Sequence, residues 1–103
     1  MQQRDYIERL IERVVAALAK IAELAGAGDA DGAERELDAT WSVIGLRRVD
    51  VARLDDVTLV ALLGPKRPLV AKLLSAEAVI ARARGDEARA LSLEARARGL
   101  TER

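Results

Sequence analysis

The apolar residues of segment 4–25 recur every third or fourth position, and that period commits the start of the chain to helix. Ile7, Leu10, Val14, Ala17, Ile21 and Leu24 form the stripe, and Ile11, Leu18 and Ala25 widen it. A two-position seam belongs to a lone coiled coil. This broader stripe suits a helix that touches two neighbours in a bundle. The other face mixes signs at Arg9, Glu12, Arg13, Lys20 and Glu23, unlike the uniformly basic face of a helix lying on a membrane. Gly26-Ala27-Gly28 ends the stripe.

Helical signals continue to the end of the chain, separated by glycine and proline. Asp29 or Asp31 can cap a helix over 30–44, with Ala30, Ala33, Leu37, Trp41 and Ile44 along one face and Gly45 as its stop. Residues 46–55 are less regular and fit either a short helical turn or an extended connector. Asp55 then caps a helix over 56–63, with Leu54 and Leu59 in the positions of a hydrophobic staple. Gly64-Pro65-Lys66-Arg67-Pro68 makes a rigid basic turn, and Pro68 opens a helix over 68–84. Leu69, Val70, Leu73, Leu74, Ala76, Val79, Ile80 and Ala83 leave little of that helix polar, which predicts the central, most buried element. Gly85-Asp86 breaks it. A last helix over 87–98 is expected to face Ala88, Leu91, Ala95 and Leu100 inward, with fraying beyond Gly99. The expected fold is all-α, about five helices in antiparallel hairpins within one domain, residues 1–103.

Missing residue types limit the chemistry. Without Cys there is no thiolate nucleophile and no zinc ribbon; without His the commonest general base and metal ligand are gone. Asp55-Asp56 is an acidic pair at a helix start and reads as capping rather than as a metal site. The expectation is therefore a protein that is not an enzyme and takes neither metal nor cofactor. Zero formal net charge gives no general drive toward nucleic acid. No apolar run reaches membrane-spanning length, and Arg4, Asp5 and Glu8 do not suit a secretory leader, so a cytoplasmic location is expected. The charge is unevenly spread. Residues 1–64 carry 8 basic and 12 acidic side chains, residues 65–103 carry 9 and 5. Either the two parts attract each other within one fold, or protomers meet in a head-to-tail or antiparallel contact.

Two turns share a grammar: an apolar helix, Gly-Asp, then Ala five residues after the Gly. They are Gly28-Asp29 with Ala33 and Gly85-Asp86 with Ala90. The spacing resembles the helix-turn-helix unit of tetratricopeptide repeats. Leu37 falls where that family has a large side chain in its second helix; Glu94 at the equivalent place departs from it, and 57 residues separate the two units. The opening Arg4-Asp5-Tyr6-Ile7 is also similar to the start of some small uncharacterised bacterial proteins with a long first helix and such hairpins. The resemblance implies a tetratricopeptide-like helical bundle whose first helices bind a peptide. Lys72, Ser75, Val79 and Arg82 would line that surface in the second hairpin, and Val15, Leu18 and Ala22 in the first. The family's clamp for C-terminal carboxylates needs Asn, which this chain lacks.

The resulting expectation is a non-catalytic protein-protein interaction module, a scaffold or accessory subunit that pairs with a protein partner or itself as a homodimer. Trp41 is either an interface anchor or the main filler of the core. The alternative is a small phosphorylated ligand held by Lys66 and Arg67 of the basic turn.

Overall fold

Residues 24–32 and 81–89 fold alike, and they set the architecture. Gly28 and Gly85 both take φ 84°, a left-handed conformation that costs glycine little. At the first turn, Asp29 N–H donates to Leu24 O at 2.8 Å and Gly28 N–H to Ala25 O at 3.1 Å. At the second, Asp86 N–H reaches Ala81 O at 2.9 Å and Gly85 N–H reaches Arg82 O at 3.0 Å. These paired bonds close the preceding helix. Each aspartate then starts the next one: the Asp29 carboxylate accepts from Gly32 N–H at 2.9 Å, and Asp86 from Arg89 N–H at 3.1 Å. A residue that both ends one helix and caps its successor leaves no linker, so the helices must fold back on each other. Ala33 and Ala90, both fully buried, let them approach closely.

The computed structural model describes residues 2–102 and is all-α among them. Six helices follow in order: α1 (Gln2–Gly26), α2 (Ala30–Val43), α3 (Arg48–Arg53), α4 (Asp56–Leu63), α5 (Arg67–Ala83) and α6 (Glu87–Thr101). A single 3-10 turn, Gly64–Lys66, joins α4 to α5. The five expected helices are present, and the connector at 46–55 resolves into the short α3. Asp55 caps α4 through Thr58 N–H at 2.7 Å, and Asp29 rather than Asp31 caps α2.

The helices α1 and α2 form one hairpin, and α5 and α6 the other. Arg84, just after α5, pairs with Asp31 at 3.0 Å at the start of α2. The two Gly-Asp turns therefore lie side by side, and α1 and α5 run in the same direction. The helix α5 is the centre: it packs against α1, α2, α4 and α6 and buries ten residues, among them Leu69, Val70, Leu73, Leu74 and Ile80. One apolar cluster joins Val14 and Ile21 of α1, Leu37 and Ile44 from the α2 hairpin arm, Leu59 of α4 and Leu100 of α6 to this helix.

The last helix differs from expectation in two ways. Ala88, Leu91 and Ala95 face outward, with Leu91 55% exposed, while Ala90, Leu93, Ala97 and Leu100 turn inward. The Asp86 cap fixes the phase of α6, and the small Ala90 is the side chain that fits against α5. The helix also continues to Thr101 rather than fraying past Gly99, because Leu100 is fully buried. In α1, Ile11 was expected to widen the buried stripe and is 41% exposed instead.

Candidate interaction groove between α1 and α5

The two parallel helices α1 and α5 meet along small side chains, and the shallow seam left between them is open to solvent. Leu18, Ile21 and Ala22 form one wall, and Lys72, Ser75, Ala76 and Val79 the other, around a volume of about 350 Å³. Ile21 and Ala76 are the buried floor. Three of the four residues singled out in the second hairpin, Lys72, Ser75 and Val79, thus come together with Leu18 and Ala22 of the first. Val15 stands outside the walls on the same helical row, 51% exposed.

Arg82 does not join them. Its guanidinium turns to α6, donating from Nε and Nη2 to Glu87 at 2.8 Å each and from Nη1 to Glu94 at 3.0 Å. A fork of donors facing two carboxylates explains the choice. These bonds hold the Glu87 and Glu94 carboxyls below the usual range and raise the guanidinium. The Glu94 that departs from the tetratricopeptide pattern is therefore an acceptor for Arg82.

Along α1 the groove runs into an exposed apolar row. Ile11, Val15, Leu18 and Ala22 are spaced four, three and four, so they share one side of the helix. The helix outruns its hairpin partner: Arg13 lies opposite Val43, the last residue of α2, so the turns before Arg13 extend beyond α2. Tyr6, on a different side of this overhang, is 49% exposed.

Trp41 is not a surface anchor. It is 2% exposed and belongs to the core, because the inward stripe of α2 places it toward α5. Its Nε1–H is the one buried side-chain polar atom among the described residues without a hydrogen-bond partner. Lys66 also has structural work: Nζ donates to Ile44 O at 2.9 Å, satisfying a carbonyl at the end of α2. Arg67 is half-buried at the start of α5.

A network sequence reasoning missed lies on the opposite side of α5. Glu77, 5% exposed, accepts from Arg48 Nε at 3.2 Å and from Arg89 Nη2 at 2.7 Å. Arg48 also bonds Asp38 at 2.9 Å and Glu34, and Glu34 continues to Arg84 at 3.7 Å. The network ties α2, α3, α5 and α6 together. Its partners are at least 10 residues apart in sequence, so no local spacing announces them. Arg84 with Asp31 and Glu34, and Arg96 with Asp56 at 3.2 Å, pair bases of the last part of the chain with acids of the first, whereas Arg48 to Glu77 runs the other way.

No group of His, Cys, Asp and Glu among the described residues is arranged to hold a metal, and no helix there is long and apolar enough to cross a membrane. Comparison with protein-family models, curated proteins and solved structures gives no match.

Proposed function

We propose that the protein is a non-catalytic helical interaction module that pairs with a second copy of itself through the α1 side of this groove. The observation that carries the reading is the apolar row Ile11–Val15–Leu18–Ala22, which leads into the groove and leaves Ile11 and Val15 exposed to solvent. A helix of matching pattern is the natural occupant of such a surface, and α1 itself has that pattern. Charge supports a symmetric pair. Glu8, Glu12 and Glu23 border the row on α1 and Lys72 borders the groove on α5, so a parallel two-fold pair, which sets the flank of one copy against the opposite flank of the other, brings acid to base. The accessible surface, 6258 Å², also exceeds the about 5,700 Å² expected of a folded monomer of this mass.

Sedimentation equilibrium at micromolar concentration tests the proposal. The expected mass is twice that of the 11.1 kDa chain, and Val15→Glu should return the single-chain mass with helix content unchanged. A wild-type protein that sediments as a monomer removes the reading. If it does so and still captures a helical peptide in the groove, the occupant is a different protein. The phosphorylated-ligand reading of 64–68 is weaker, because Lys66 is already engaged at Ile44 O.

A further inference from the structure

Beyond the groove, a second concavity of about 410 Å³ opens between α3, α5 and α6 with Trp41 in its wall. Its apolar lining is exposed at Val49 and Ala52 and half-buried at Leu93, over a floor of the buried Trp41, Val51 and Leu74. Three guanidinium groups, Arg48, Arg89 and Arg96, enter the same space with a single carboxylate, Glu77. The balance of that set matters. Both Glu77 oxygens are occupied, Oε1 by Arg48 Nε and Oε2 by Arg48 Nη2 at 3.0 Å and Arg89 Nη2 at 2.7 Å. Arg48 is consumed by Glu77, Glu34 and Asp38. Arg89 spends only Nη2 in this way, so Nε and Nη1 keep their donor capacity on a side chain 56% exposed. Arg96 bonds Asp56 through Nε and Leu54 O through Nη2, which leaves Nη1. The cavity thus pairs an apolar wall with surplus, fixed guanidinium donors at its rim. That combination suits one planar anion carried on an apolar body.

We propose that this cavity binds an amphipathic carboxylate, its chain or ring against Val49, Ala52 and Leu93 above the buried Trp41 and its head on Arg89 and Arg96. Glu77, Glu34, Asp38 and Asp56 balance the arginines, so the head is selected by the free donors rather than by net charge, and a bare anion makes no use of the apolar wall. Neither a metal nor a reaction is involved.

Trp41 is the single tryptophan of the chain and lies under the cavity, so its emission has one source beside the site. Titration of the whole protein with octanoate should change that emission saturably. Octanol, which has the chain without the charge, and inorganic phosphate, which has charge without the chain, should each bind at least about tenfold more weakly. Arg89→Gln should weaken octanoate about tenfold and leave octanol unchanged. Glu77 keeps Arg48 in that variant, so the fold is retained. Ala52→Leu, at an exposed wall position on α3, should narrow the cavity and weaken both. Equal binding of octanoate and octanol, an Arg89→Gln affinity within twofold of wild type, or an Ala52→Leu variant that binds normally overturns the assignment. So does the absence of any saturable response. Sedimentation of the same samples separates this outcome from that of the dimer, because Arg89 lies outside the α1 row.

Discussion

Glu77 is the side chain on which most of the polar interior converges. A carboxylate this buried is tolerated because two guanidinium groups surround it, and removing it strands them. Burial disfavours the charge on Arg48, yet its hydrogen bonds to Glu77 and Glu34 outweigh that and raise the guanidinium above its ordinary value. Glu77→Ala is therefore expected to destabilise the fold by about 2 kcal/mol, less than the about 3–5 kcal/mol for breaking a fully buried pair. The discount follows from Arg89, which is half exposed, and from Glu34 and Asp38, which still hold Arg48. Urea unfolding followed by circular dichroism measures it, and a change below about 0.5 kcal/mol, the size of an ordinary surface substitution, contradicts the role assigned. Trp41 is the counter-example at this scale. Its buried Nε1–H has no hydrogen-bond partner among the described protein groups and lies beside the cavity that the ring helps to form.

At the scale of the helix, Arg82 clasps α5 to α6, and the clasp depends on pH. Its hydrogen bonds hold the Glu87 and Glu94 carboxyls below 4.5, the value each has when the chain is unfolded. Groups with a lowered folded pKa stabilise fully above the unfolded value and lose that contribution as pH falls through the folded one. The melting temperature of the wild type should therefore exceed that of Arg82→Gln at neutral pH, and the gap should close as the pH is taken below 4.5. A gap independent of pH means the clasp does not form in solution. Both carboxylates are exposed, so the effect is small.

The same scale shows what could be read from the residues. Asp55 with its staple, the two Gly-Asp turns and the apolar dominance of α5 are local signals, and each appears where its chemistry put it. Alanines lie on several sides of α6, so period alone does not choose its buried face. Position alone points Arg82 to the groove, but a carboxylate pair on the next helix draws it away. The residues of the groove follow from the resemblance of the two Gly-Asp turns to tetratricopeptide hairpins, and Lys72, Ser75 and Val79 lie beside Leu18 and Ala22 in the fold. The cavity was not, since its walls come from four segments and its arginines are placed by distant partners.

For the molecule as a whole, α5 packs against α1, α2, α4 and α6 and carries the main core shared by both hairpins, beside a small cluster of Ala78, Ala81 and Ala90 between α5 and α6. The apolar cluster runs without a break from α1 to α6, and cross-chain ion pairs reinforce it. Unfolding should accordingly be a single transition, with helix loss and Trp41 emission changing together in denaturant. Two separated midpoints would show that one hairpin melts before the other.

The placement of the two Gly-Asp turns at a common end has one more outcome. Because α1 enters and α6 leaves at the far side, the molecule has a blunt pole made of turns and a pole where chain can be joined. A label, a surface tether or a fused domain attached near Arg4 or Glu102 stands off from the turn pole. That leaves the Asp31–Arg84 ion pair, which ties the two turns together, at the free end.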